Sequence, residues 1–365
     1  MNEPKIQPGI LDIAPYVPGL SSAGSEKRLV KMSSNETPLG TSPYAIEAYR
    51  RSSELLHRYP DGAAIELRTA IGGRYGLDPE QIVCGNGSDD LLYLIATAYA
   101  GPGDEVLFTK HAFAMYQIAA QSVGAIPVVA PARLLGTDID NLLNQVGPDT
   151  RICYLANPNN PTGTFVSSQE MERLRQGLPD DVLLVIDAAY AEYVGRKDYS
   201  DGVELVDRHE NVVVTRTFSK IYGLAALRLG WLYGPPKVVD ALNRIRCPFN
   251  VNGAAQAAGI AALGDMDFVD AAVAHNGEWL PWLEAEFKNI GLIVHPSIAN
   301  FTLIEFDNTS GKNAAHVYKY LLENGVIGRE LKAYGLSDCL RFSVGLEEDN
   351  RLLVDLVAKF FETGA

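Results

Sequence analysis

Lys220 lies in the run Thr217-Phe218-Ser219-Lys220-Ile221-Tyr222-Gly223-Leu224, directly after the apolar stretch Val212-Val213-Val214. Arg228 follows eight residues later. A lysine amine just past a buried strand is a nucleophile for an aldehyde, and neighbouring hydroxyls and a guanidinium suit a phosphate. The set fits covalent attachment of pyridoxal 5′-phosphate (PLP), with Thr217, Ser219 and Arg228 on its phosphate. Taken alone, a serine–lysine pair at a strand end is more often a solvated loop, so the reading needs support from elsewhere in the chain.

Three segments supply it. Asn157-Pro158-Asn159-Asn160-Pro161-Thr162-Gly163 follows the strand-like Ile152-Cys153-Tyr154-Leu155. Its prolines and glycine preset a tight turn, which is either an ordinary connection or a rigid mount that aims Asn157 at a ligand. Val182-Leu183-Leu184-Val185-Ile186 ends on Asp187. A carboxylate at the end of a fully apolar strand costs free energy unless a cation meets it, and a protonated pyridine nitrogen is such a cation. Gln81-Ile82-Val83-Cys84-Gly85-Asn86-Gly87-Ser88 leads into a helix-like stretch from Asp89 to Tyr99. Glycines before a helix start expose N–H groups to an anion. A plain glycine turn with Ser88 as N-cap explains the same residues.

These residues need a frame. Candidate strands are Gln81–Cys84, Glu105–Thr109, Ile126–Ala130, Arg151–Leu155, Val182–Ile186, Asn211–Arg216 and Leu229–Tyr233, alternating with helical segments. Continuous apolar strands between amphipathic helices predict an α/β fold with a mainly parallel, seven-stranded sheet covered on both faces. Ligands of such sheets bind beyond the carboxyl ends of the strands, and Asn157, Asp187 and Lys220 all fall there. After Pro248-Phe249-Asn250 the pattern changes to helices at Ala254–Leu263 and Phe268–Ile290, a strand at Ala299–Phe306, a helix at His316–Asn324, a strand at Leu340–Val344 and a last helix. That helix pairs Leu352/Leu353, Leu356/Val357 and Phe360/Phe361 at four-residue spacing, giving one apolar face. The expected organisation is an N-terminal segment over 1–44, a large domain over 45–250 and a smaller α+β domain over 251–365.

In this order the four segments resemble the fold-type I PLP-dependent aminotransferases, and within them the histidinol-phosphate aminotransferase family. The resemblance covers nearly the whole chain. It extends to Ile13-Ala14-Pro15-Tyr16-Val17-Pro18-Gly19, Ser34-Asn35-Glu36-Thr37-Pro38-Leu39-Gly40, Arg58-Tyr59-Pro60-Asp61 and Leu340-Arg341-Phe342-Ser343-Val344-Gly345. The asparagine–proline motif with the serine–lysine pair and the arginine points to the superfamily, and the N-terminal Pro-Tyr-x-Pro-Gly to the histidinol-phosphate branch.

The resemblance implies roles. Lys220 binds PLP and then moves a proton, Asp187 holds the ring nitrogen charged, and Asn157 and Tyr190 bind the ring's phenolic oxygen. The N–H groups around Gly87, Ser88 and Asp89 join Thr217, Ser219 and Arg228 on the phosphate. The Asp89 carboxylate is expected to point away from that anion. Phe113 stacks on the ring, although many relatives carry tyrosine after a Pro-Thr pair that this chain lacks. Tyr59 reaches across a homodimer interface to the neighbour's PLP phosphate, so each active site draws on two chains. Arg341 grips a substrate carboxylate, with Arg329 as a second basic residue and Tyr16 beside it. Two forked donors suit carboxylate in one half-reaction and phosphate in the other. The N-terminal segment joins the small domain, and the Asn157–Pro158 peptide is cis.

Composition sets the outer limits. The chain has 365 residues, 47% hydrophobic, enough for about two domains with real cores. The longest apolar runs fall far short of the ~20 residues a membrane helix needs. No basic-then-apolar leader opens the chain. A formal net charge of −14 argues against nucleic acid. Cys84, Cys153, Cys247 and Cys339 show no C-x-x-C spacing and read as reduced cytoplasmic thiols. Six isolated histidines give no metal-ligand spacing, so no metal site is expected. The resulting expectation is transamination between glutamate/2-oxoglutarate and imidazole-acetol phosphate/histidinol phosphate. An aromatic amino-acid transaminase and a PLP-dependent threonine-phosphate decarboxylase are the alternatives; a non-catalytic binding relative is disfavoured by the intact Lys220, Asp187, Asn157 and Arg228 set.

Overall fold

The computed structural model describes residues 4–20, 29–307 and 311–363. In chain order its strands are β1 (Val30–Lys31), β2 (Ile82–Gly85), β3 (Glu105–Thr109), β4 (Ile126–Ala130), β5 (Thr150–Ala156), β6 (Leu183–Asp187), β7 (Val212–Thr217), β8 (Gly230–Tyr233), β9 (Ile293–His295), β10 (Phe301–Glu305), β11 (Val326–Ile327), β12 (Arg329–Leu331) and β13 (Leu336–Ser343).

Strands β2 to β8 form one sheet in the order β2-β8-β7-β6-β5-β3-β4. Only β8 runs antiparallel to its neighbours β7 and β2. All seven strands expected from the sequence are present, each bound within one residue of its reading. Their apolar continuity follows from burial on both faces. Ile152, Tyr154, Val185 and Val213 face a layer with Leu91, Ile95 and Tyr116. Their alternates Cys153, Leu155, Leu184, Ile186, Val212 and Val214 face a second layer with Leu67, Leu174 and Ala255.

A second sheet, β12-β13-β10-β9, is antiparallel throughout and carries its own core of Trp279, Leu283, Phe287, Val317, Leu321, Phe342 and Phe360. β1 pairs in parallel with β11, matching Val30 to Val326, and Val30 and Met32 enter the same core. Residues 30–32 of the N-terminal segment thus pack with the small core, whereas Leu39 and Thr41 of the same segment meet the large domain; residues 1–3 and 21–28 of that segment lie outside the described residues.

The division between the two cores differs from the sequence reading. The helix Gly253–Gly264 puts Ala255, Ala258, Ala262 and Leu263 into the core of the large sheet, as do Val269 and Ala272 in the first turns of the helix Met266–Asn289. Trp279, Leu280, Leu283 and Phe287 of that same helix belong to the small core. We propose that the boundary falls inside this long helix rather than at residue 250, because one continuous helix serves both cores. Among the described residues no helix is long and apolar enough to cross a membrane.

Candidate active site

A cavity of about 290 Å³ opens beyond the carboxyl ends of β5, β6 and β7, where the large sheet meets the small domain and the N-terminal segment. Lys220 stands in its wall, three residues past β7, and donates from Nζ to the Ser34 carbonyl at 3.0 Å. Burial, then the nearby positive charge of Arg341, lowers the amine from its usual range to about 8. Tyr190 lies beneath, with the lysine nitrogen 5.7 Å from its ring centre, and its hydroxyl accepts from Asn35 Nδ2 at 2.9 Å.

Asp187 closes β6 and is 6% exposed. Its carboxylate accepts from Tyr116 Oη at 2.8 Å and Thr215 Oγ1 at 3.3 Å. Burial raises it to about 6, against the lowering pull of the Tyr116 hydrogen bond. Tyr116 is held by stacking on Tyr154, ring centres 4.6 Å apart, and Tyr154 is itself tied to the Leu92 carbonyl. Phe113 lines the cavity and meets Tyr116 edge-on at 6.0 Å.

At one end of the cavity Arg228 donates to Ser219 Oγ at 3.2 Å and to the Ala225 carbonyl at 3.1 Å. Thr217 and Ser219 line the same end, and the helix Ser88–Tyr99 starts there behind Gly87. Gly87 has φ +92, and a Cβ on it would stand 2.5 Å from Arg228 Nη2. Only glycine leaves this cup open. The Asp89 carboxylate does not point away as expected: it accepts from Arg228 Nη2 at 3.2 Å. Asp89 at the helix start is close enough to offset the Arg228 charge.

At the other end Arg341 is 5% exposed, donating to the Ser33 carbonyl at 2.8 Å and to the Asn160 side-chain oxygen. Its Nε has no partner. Burial, the largest cause, lowers its guanidinium from the usual range. Arg329 donates to the Val17 carbonyl at 2.7 Å and lies over the Tyr16 ring at 5.8 Å. The acceptors of both guanidinium groups are thus neutral oxygens.

Asn157 is a correction. Its side chain is fully buried, accepting from Val166 N at 2.8 Å and donating to the carbonyls of Val166 at 3.1 Å and Ser200 at 3.3 Å. Three of its four amide hydrogen-bonding positions are used on Val166 and Ser200, and the side chain is not among those lining the cavity. The residue that lines it is Asn160, three positions on. Two Asn-Pro pairs in one motif left the sequence ambiguous, and the pair next to Thr162-Gly163 carries the exposed amide. Both Asn157–Pro158 and Asn160–Pro161 are cis; only the first was expected. Tyr116 and the Ser33-Ser34-Asn35 stretch, to which the sequence assigns no role of their own, hold Asp187, Arg341, Lys220 and Tyr190. Tyr59 is not in this cavity. It is 82% exposed and stacks on Phe249 with ring centres 4.6 Å apart.

The donors fit PLP. A buried amine lowered to about 8 gives up its proton far more readily than an ordinary lysine, which suits attack on an aldehyde. A buried carboxylate held by neutral donors only suits a pyridinium nitrogen. The glycine-floored cup with two hydroxyls and an arginine suits the phosphate.

A family model described as aminotransferase class I and II matches residues 27–356. The histidinol-phosphate aminotransferase of Paramagnetospirillum magneticum is 52% identical over 360 residues, covering 99% of each chain. That of Rhodopseudomonas palustris (strain BisB18) is 51% identical over 361 residues, again covering 99% of each. Among solved structures, histidinol-phosphate aminotransferase from Sinorhizobium meliloti in complex with pyridoxal-5′-phosphate superposes with a TM-score of 0.88 at 26% identity, covering 100% of this chain and 99% of that one.

Proposed function

Because the chain belongs to the class I and II aminotransferase family, we propose that it transfers an amino group between L-glutamate/2-oxoglutarate and imidazole-acetol phosphate/L-histidinol phosphate, a step of histidine biosynthesis. The observation that carries the substrate choice is that Arg329 and Arg341 line one cavity, with the Val17 and Ser33 carbonyls and the Asn160 amide oxygen as their hydrogen-bond acceptors. One forked donor is enough for a carboxylate; two suit an enzyme that must also take a phosphate monoester.

The enzyme uses PLP, which when bound supplies the carbonyl that exchanges the amino group and a ring that draws electrons from the carbon losing its proton. The protein's part is to hold and to move protons. Lys220 Nζ, lowered to about 8, is unprotonated in a large fraction at mildly alkaline pH and so takes a proton from the substrate carbon and returns it across the same face. Asp187 would keep a proton on the ring nitrogen of bound PLP, and Tyr116 fixes the carboxylate's direction. Asn160 and Tyr190 serve the phenolic oxygen, in place of Asn157. Gly87, Ser88, Asp89, Thr217, Ser219 and Arg228 anchor the phosphate, and binding there competes with the Arg228–Asp89 pair. Phe113, in the cavity lining, would cover one face of the ring.

We further propose a cytoplasmic homodimer. Tyr59 belongs to the stretch 44–59, which also exposes Tyr44, Tyr49, Leu55 and Leu56, large apolar side chains of the kind a partner copy covers. Covering it with a second copy would bring Tyr59 to the partner's phosphate cup.

The test is a set of single half-reactions on the PLP-loaded protein, adding histidinol phosphate, phenylalanine, tyrosine and threonine phosphate separately. Bleaching of the cofactor's visible absorbance by histidinol phosphate, far faster than by the others, is expected. Equal bleaching by phenylalanine or tyrosine would make it a broad or aromatic transaminase. Carbon dioxide release from threonine phosphate would move it to the decarboxylases.

A further inference from the structure

His295, Glu305 and Cys339 are far apart in sequence, but strand register brings them to one face of the small sheet. Glu305 lies directly opposite Cys339 across the β10–β13 pair. His295 lies opposite Leu303 across the β9–β10 pair. Leu303 and Glu305 are two residues apart and therefore share a face, so all three side chains project together. Their ligand atoms lie within 4.8 Å of one another. His295 Nε2 and a Glu305 oxygen are 2.8 Å apart. The floor is apolar: Cys339 is 4% exposed and packs with Leu303, Leu331 and Leu336. The open side is the β9 edge, where the side chains of His295 and Glu305 are 21% and 38% exposed.

We propose that His295, Glu305 and Cys339 form a binding site for a divalent transition-metal ion of the zinc class, with solvent as fourth ligand. Imidazole, thiolate and carboxylate are the three donor types that zinc accepts, and the thiolate disfavours magnesium and calcium. Zinc–ligand bonds of roughly 2.0–2.3 Å set tetrahedral neighbours about 3.3–3.8 Å apart, so the His295–Glu305 contact opens by about half an ångström while Cys339 swings inward. On binding, the Cys339 thiol proton leaves to solvent, the Nε2 lone pair of His295 turns to the metal, and its proton resides on Nδ1. The apolar floor excludes water from the sulfur side and leaves exchange to the β9 edge. Cys339 and Arg341 are two residues apart on β13 and share a face, so the ion would stand one side-chain step from the arginine at the substrate end of the cavity.

The experiment uses the PLP-loaded protein carrying Cys247→Ser, which removes the exposed free thiol as a competing site. Cobalt(II) is added and the visible d–d bands are followed at wavelengths beyond the cofactor's absorbance. Intense tetrahedral bands that saturate at one ion per chain, and that zinc abolishes, are expected. Cys339→Ser should remove them, and His295→Gln and Glu305→Gln, both at the solvent edge, should each weaken binding by roughly tenfold or more with circular dichroism unchanged. Absence of tetrahedral bands, or bands that survive Cys339→Ser and His295→Gln alike, would overturn the site. Neither result bears on the aminotransferase reading, because the variants leave the PLP cavity intact.

Discussion

Asp187 carries a cost that its function explains. Its folded pKa, about 6, lies above the ordinary 3.8, so between those values the folded state holds more proton than the unfolded one. The carboxyl's favourable contribution is complete below pH 3.8 and is lost as pH rises through about 6. At pH 7 the PLP-free protein therefore bears a buried charge costing on the order of 1–3 kcal/mol. Asp187→Asn keeps an acceptor for Tyr116 but removes the charge. The PLP-free variant should be more stable than the wild type at pH 7 by about that amount, lose the advantage near pH 4, and lose orders of magnitude in turnover. Denaturant midpoints at the two pH values check it; an unchanged difference would refute the charge argument. The two asparagines separate in the same way. Asn157→Ala strands the Val166 backbone groups and should lower stability by about 1–3 kcal/mol. Asn160→Ala removes an acceptor from the buried Arg341, so it should lower stability by about 1 kcal/mol and, unlike Asn157→Ala, also shift the bound cofactor's absorbance and cut turnover. The opposite pattern would restore Asn157 to the site.

Between elements, close approach decides what the chain tolerates. Gly223, in the turn after Lys220, has φ +66, and a Cβ there would stand 2.0 Å from the Gly40 carbonyl oxygen. That carbonyl belongs to the N-terminal loop whose Thr41 hydroxyl donates to the Gly223 carbonyl at 2.7 Å. Backbone meets backbone, so nothing can yield cheaply. Gly223→Ala should cost about 2–4 kcal/mol and loosen PLP binding, since it separates the lysine turn from the loop that supplies the Ser34 carbonyl. Gly277, inside the helix Met266–Asn289, is the contrast, with nothing within 4 Å of a new Cβ. Gly277→Ala should stabilise by about 0.5–1 kcal/mol. Urea midpoints of both variants check the pair. Equal effects would mean that backbone approach is not what Gly223 secures.

For the whole molecule, the test of a shared active site is complementation. Lys220→Ala alone should be inactive yet hold PLP through the phosphate cup, and Tyr59→Ala alone should bind PLP weakly. A hybrid dimer restores one site, because the Lys220 chain receives Tyr59 from its partner. Refolding the two variants together should recover roughly a quarter of wild-type activity, as half the dimers are hybrid and each carries one intact site. No recovery, with hybrid dimers present by mass, would mean that each chain builds its site alone.

The sequence by itself determined the sheet, because apolar runs buried on both faces admit only one environment, and each of the seven strands was legible to within a residue. It also marked Lys220, Asp187 and Arg228, whose chemical types stand out against apolar strands and tight turns. Three things needed the tertiary structure. Which asparagine of the motif faces the cavity depends on loop closure around Val166, a contact between residues with equal local claims. Where the two cores divide depends on which turns of one long helix meet which sheet, a division that local periodicity does not mark. The meeting of His295, Glu305 and Cys339 depends on strand register, which pairs residues separated by loops whose lengths carry no chemical signal. Local patterning fixes what each segment becomes; long-range pairing fixes which side chains meet.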